Sequence, residues 1–407
     1  MFEALERIPL EEITARWARC RDLLEVSMPE AGGLFAFTKT NIYWLSGTLT
    51  QGVFWLPRQG DPVLFLRRGS ERARLESPMA NIVEFRSYRD IPRLAAEAGC
   101  PLSTVIAAEK GGLPWNLADS LQKNLSETAF LSGDGILARA RGVKSAWELD
   151  KMRLCGARHH KALHELLPQR IRPGMNEREI SLATWQVFFE LGHMGHMRMN
   201  AFGEEIFLGH VSAGDSGNYP SAFDGPLGLR GEHPALPFMG YRGTIWKERQ
   251  PLAVDCGFAL EGYITDKTQV FWAGPESSIT DEARRGHDFC VAVQEWLAEN
   301  LRPGATPSEL YLHCTDWAAR EGLSEGFMAL APNTVKFVGH GIGLAVDGWP
   351  VIADGFDEPL EENQVVALEP KFGVPGLGMV GVENTFVVTP RGGECITGSD
   401  YSIICLE

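Results

Sequence analysis

Between Pro251 and Gly274 the chain reads PLAVDCGFALEGYITDKTQVFWAG, two apolar and β-branched stretches that meet at Glu261-Gly262. This pattern predicts a buried strand, a glycine-containing bend and a second strand paired to the first. Asp255 lies on one and Asp266 on the other. A carboxylate on an apolar strand is costly to bury unless a cation or a hydrogen-bond network meets it. The hairpin therefore demands a partner for two negative charges, or else places both in solvated turns.

With 407 residues the chain exceeds one ordinary core, and two or three domain equivalents are expected. A formal net charge of -15 offers no basic face for a phosphate backbone, so nucleic acid is not an expected partner. The N-terminal MFEALERIPLEEITARWARC has acids and no long apolar run, so neither a signal peptide nor a membrane span is expected, and a cytoplasmic location follows. Eight scattered cysteines without a CxxC pair predict reduced thiols, mostly in the core. Cys256, next to Asp255, points to the other face of a regular strand.

Residues 1 to 138 alternate strand-like and helix-like pieces and read as a small α/β domain. A helix is expected around Leu10 to Val26 and another near Trp115 to Leu125; strands are expected in LFAFTKTNIYWLSG, GVFWLP, PVLFLRRG, NIVEFRSY and STVIAAE. From 139 the run ARARGVKSAWELDKMRLCGARHHKALHELL reads as one long helical pattern with a capping box at Ser145 and Glu148. This sets a second domain at 139–407. His159 and His160, pointing about 100° apart on that helix, read as solvated. His193 and His196 read as surface residues.

An internal echo follows. Arg172-Pro-Gly-Met-Asn-Glu-Arg-Glu179 and Arg302-Pro-Gly-Ala-Thr-Pro-Ser-Glu309 each precede an apolar-periodic helix, with Asn176 and Thr306 as N-caps and Glu179 and Glu309 three residues on. Two such segments at comparable points suggest a duplicated α+β unit with a site between its halves.

The second half supplies the missing partners. Thr334-Val-Lys-Phe-Val-Gly-His340-Gly-Ile-Gly delivers a histidine at a strand end between glycines. VVALEP and MVGVENTFVV each place one glutamate, Glu369 and Glu383, in an apolar strand. Four carboxylates and one imidazole suit divalent Mn, Fe, Co or Zn, and four carboxylates suffice to bridge two ions. Two divalent ions are therefore expected, able to make hydroxide near neutral pH and to polarise a carbonyl.

The ordered strings VDCG, GYITDKT, GHGIGL, LEP and VEN resemble the pita-bread metallohydrolases, the group of aminopeptidase P, prolidase, creatinase and methionine aminopeptidase. The resemblance extends over essentially the whole chain. It implies an α+β architecture: a creatinase/prolidase-like N-terminal domain, then a pita-bread catalytic domain with an internal pseudo-twofold repeat. By the same resemblance Asp255 chelates one ion, Asp266 and Glu383 bridge, and His340 and Glu369 complete the other. Glu369 also carries the proton from the attacking water to the leaving amine, a role that a carboxylate beside a metal-bound water can fill. The implied activity is hydrolysis of short peptides at their N-terminal end, with Xaa-Pro specificity, in a homodimer.

The substrate side departs from that pattern. Two places where such peptidases carry histidine hold Asp347 and, counted from Ser216-Gly217, Asp224. An ionised aspartate accepts hydrogen bonds and favours a cation, whereas imidazole can donate to an oxyanion. Arginines common in the group are replaced by Gln269 and Gly381. A second expectation is thus a non-peptidase relative, creatinase-like or dimethylsulfoniopropionate-lyase-like, acting through Asp347 on a small cationic molecule. A third is a non-catalytic binding protein. His210 reads as a substrate-side histidine, and the Gly- and Pro-rich segment 225–250 as a lid with Trp246 or Tyr241 facing the substrate.

Overall fold

The computed structural model describes residues 3–202 and 206–407. The chain divides into two compact units, one ending at Arg141 and the other Gly142–Glu407.

The first unit is built on a six-stranded mixed sheet in the order β4-β3-β2-β1-β5-β6. Its strands are β1 Gly33–Ala36, β2 Gly52–Pro57, β3 Val63–Leu66, β4 Ile82–Glu84, β5 Val105–Ala108 and β6 Ala129–Ser132. The helices are α1 Leu10–Ser27, α2 Lys39–Ser46, α3 Ser70–Glu76, α4 Ile91–Glu97, α5 Trp115–Asn124 and α6 Asp134–Gly142. Phe35, Trp55, Phe65 and Phe85 fill one side of the sheet. The stretch expected as one strand, LFAFTKTNIYWLSG, instead turns into α2. Thr38 Oγ1 caps the Asn41 amide and starts the helix.

The second unit holds two layers of comparable construction, antiparallel apart from one short parallel edge strand. α7 Ala146–His160 and α8 Glu177–Glu190 precede β7 Gly209–Ala213, β8 Pro251–Leu260 and β9 Tyr263–Ala273. α9 Asp281–Asn300 and α10 Pro307–Arg320 precede β10 Phe337–Gly341, β11 Gly348–Ala353, β12 Val365–Leu368, β13 Lys371–Val374, β14 Gly378–Gly381, β15 Asn384–Thr389 and β16 Gly392–Cys395. β17 Ile404–Leu406 closes the first layer, in the order β17-β9-β8-β7; the second runs β11-β10-β12-β15-β16. Both Arg-Pro-Gly turns fall just ahead of the second helix of each pair, as the internal echo predicts.

Three expectations need correction. The run from Arg139 is two helices, because Val143 bridges to Gln364 in extended form before Ser145 caps α7. Thr306 holds the N-cap position of α10 without a side-chain cap bond, whereas Asn176 makes the full capping box with Glu179. His159 and His193 are buried, not solvated: α7 turns His159 toward β8, where it packs on Phe188 and Phe258, and His193 packs against the same two rings.

Candidate metal centre

Each ligand-type residue is placed by strand register. β8 and β9 pair with Asp255 opposite Thr268 and Gly257 opposite Asp266, so the two aspartates are diagonal neighbours on one face. Cys256, one residue on, lies in the apolar cluster on the other face, as alternation requires. His340 comes from β10. Glu369 and Glu383 sit at strand ends, one just past β12 and one just before β15. The two layers are stitched here: the Asp266 amide donates to Thr385 Oγ1, and the Thr268 amide to the Glu383 carbonyl.

All five come together. Asp266, His340 and Glu383 offer ligand atoms within 4.8 Å of one another. His340 Nε2 lies 3.5 Å from a Glu369 oxygen and 4.0 Å from a Glu383 oxygen. A further residue joins them that the sequence reading did not single out. Lys371 Nζ lies 2.7 Å from Glu383 Oε2, 3.1 Å from Glu369 Oε2 and 3.3 Å from Asp255 Oδ2, with its side chain 1 % exposed. A signal for it existed: Lys371 follows Glu369 by two in VVALEPKFGV, the spacing that shares a strand face, while Phe372, the next residue, packs against the core.

Electrostatics follow from this packing. Burial presses Asp266 up to about 7, with the Asp255 charge adding to it. Burial and the Asp266 charge hold Glu383 well above the carboxylate range. Burial works the same way on Asp255, but there the Lys371 ammonium, with help from Glu383 and His210, wins and lowers it. Lys371 itself is held well above its usual value, since three carboxylates outweigh its desolvation.

The substrate-side candidates are placed less uniformly. His210 pairs with Asp255 across β7 and β8; its ring lies 5.2 Å from Phe223, and its Nε2 is buried without a partner. Asp224 is exposed on the wall of a cavity of about 740 Å³, shared with Tyr219, Phe223, Lys336, Phe337 and Phe356. Phe337 packs edge-on to the His340 ring, so the cavity adjoins the centre. Asp347 is half-buried, and its carboxylate accepts from the Asn200 amide at 2.5 Å and the Ala201 amide at 2.8 Å. It anchors that loop. Trp246 does not face the cavity: it is fully buried among the apolar residues behind β8, donating to the Gln250 carbonyl. Tyr241 stacks under the Arg230 guanidinium.

Two carboxylates and an imidazole converging from two layers of a duplicated α+β fold define the class of the pita-bread metallohydrolases. The chain matches the model of metallopeptidase family M24 over residues 150–390 and that of the creatinase/prolidase N-terminal domain over 16–143, and it belongs to the M24 family. It is 23% identical over 373 residues to an Xaa-Pro dipeptidase of Pyrococcus furiosus, covering 91% of this chain and 94% of that protein. A probable dipeptidase PepE of Mycobacterium bovis is 26% identical over 313 residues, 76% of this chain and 72% of that one. The crystal structure of dipeptidase PepE from Mycobacterium ulcerans superposes with a TM-score of 0.77 at 21% identity, covering 98% of this chain and all of that one. Among the described residues no helix is long and apolar enough to cross a membrane.

Proposed function

We propose that the protein hydrolyses short peptides, in the manner of an Xaa-Pro dipeptidase, at a divalent-metal centre held by Asp266, His340 and Glu383. The convergence of those three ligand groups within 4.8 Å carries the reading. A bound divalent ion would supply an acidified water and a Lewis acid for the scissile carbonyl. Glu369 accepts the proton of the attacking water and returns it to the leaving amine, with one carboxylate oxygen kept on the Lys371 ammonium. The adjoining cavity suits a zwitterion, with Asp224 for an ammonium group and Lys336 for a carboxylate, which a free dipeptide presents together. His210, buried beside Asp255 with an unpartnered Nε2, offers a polar contact to substrate. All eight cysteines are free, which supports a reducing, cytoplasmic setting, and a homodimer belongs to the same reading.

One observation favours a second reading. Asp224 shares its wall with Tyr219, Phe223 and Phe356, an aromatic and acidic surface of the kind that holds a permanent cation such as a betaine or guanidino group. In that reading Asp347 is the base that the sequence suggests, with one loop amide donating to each of its oxygens. A panel of Mn²⁺, Co²⁺, Fe²⁺ and Zn²⁺ against Xaa-Pro dipeptides, longer peptides, creatine and small betaines tests both. Turnover of Xaa-Pro dipeptides is expected. No such turnover with any metal, alongside cleavage of a betaine or creatine, overturns the peptidase reading.

A further inference from the structure

The expected pair of ions does not fit the residues present. The position between Asp255 and Glu383, where the second ion would need oxygen contacts near ~2.0–2.2 Å, already contains the Lys371 ammonium, 3.3 Å from the Asp255 oxygen and 2.7 Å from the Glu383 oxygen, and 3.1 Å from Glu369 as well. An ammonium has three donors and no lone pair, so it competes with a metal for the carboxylates and cannot ligate one. We propose that Lys371 is a built-in counter-ion in place of one metal, and that the centre binds a single divalent ion on Asp266, His340 and Glu383.

The side chain has no other place to go. Lys371 pairs with Gly381 on β14 and donates nothing to solvent; the side chains flanking it, Phe372 and Pro370, belong to the opposite face of the chain. Moving the ammonium off the carboxylates would strand a charge beside Cys290, which is fully buried. Charge favours the same arrangement. Four carboxylates against one ammonium and one divalent ion leave a single negative charge, whereas a second divalent ion beside the ammonium would make the cluster net positive in a buried site.

This inference rests on the proposed metal centre but not on its substrate. The test is metal stoichiometry, read without substrate. Wild type and Lys371→Gly are stripped with chelator, loaded with Mn²⁺, desalted and counted by elemental analysis, with electron paramagnetic resonance to separate an isolated Mn²⁺ from a spin-coupled pair. One isolated ion per chain is expected in wild type, and two coupled ions in Lys371→Gly. Asp255→Asn, which keeps the fold's shape should the glycine variant misfold, is expected to retain one ion, and Asp266→Asn none. Wild type loading two ions or none, Lys371→Gly staying at one, or Asp255→Asn losing its ion would each overturn the proposal. Peptide turnover by a wild type carrying two ions would sustain the peptidase reading while refuting the single ion; one ion without peptide turnover would do the reverse.

Discussion

Lys371→Met removes the ammonium and keeps most of the side-chain volume, leaving Asp255, Glu369 and Glu383 without their shared cation. Breaking a buried ion network by deleting one partner costs about 3–5 kcal/mol, because the stranded charges keep their desolvation penalty. For a unit of this size each kcal/mol moves the midpoint by about 2–4 °C, so a fall of roughly 6–20 °C is expected. Thermal unfolding of the chelated protein at pH 8, followed by near-ultraviolet circular dichroism, measures it. The loss should shrink toward pH 5.5. Carboxyl groups held above their unfolded values take up protons in the fold first, so their stability contribution is present at low pH and lost as pH rises. A midpoint within about 2 °C of wild type at pH 8 would refute the counter-ion role, since even the smallest loss above exceeds that.

Glu369→Gln should leave the fold and Lys371 contact in place while lowering kcat by at least ~100-fold, the scale of a general base, measured on the best substrate of the panel. Burial holds His193 down from 6.5 to about 4, so its contribution is full above pH 6.5 and lost as pH falls through 4, on the order of 3 kcal/mol. Urea midpoints at pH 7 and 4.5 should show that acid limb, and His193→Phe should flatten it. Asp347→Ala frees the Asn200 and Ala201 amides, and hydrogen exchange at both should speed up by roughly 10-fold or more, from the ~1.5–3 kcal/mol of bonds to a charged acceptor. Trp246→Ala should cost about 3–5 kcal/mol in urea unfolding with little change in KM, because the ring fills the core and not the cavity.

The candidate ligands are legible from strand pattern: Asp255, Glu369 and Glu383 are each the one charge in an apolar run, and Asp266 and His340 interrupt runs rich in β-branched and apolar residues. Asp255, Asp266, His340, Glu369 and Glu383 stand out in one dimension, and strand register then does the rest. Lys371 escaped notice for the opposite reason. A lysine after a Glu-Pro pair reads as the start of a solvated turn, and its burial depends on β13 running inward to pair with β14, a long-range fact. The Gly and Pro around Trp246 read as a lid, yet its place is decided by the Gln250 carbonyl and the apolar wall behind β8. His159 lies on α7, and which side of a weakly amphipathic helix meets a sheet is set by tertiary packing; His193 lies past the end of α8, in a loop folded onto Phe188 and Phe258.

A metal ion reaches its site from solution and can be drawn out again by whatever binds it more tightly. The Lys371 ammonium is delivered by translation, in fixed stoichiometry, and no chelator can remove it. One of the two cations needed to gather these acids thus arrives with the polypeptide. The acid cluster can assemble in a cell starved of metal, and only the catalytic ion is left to supply.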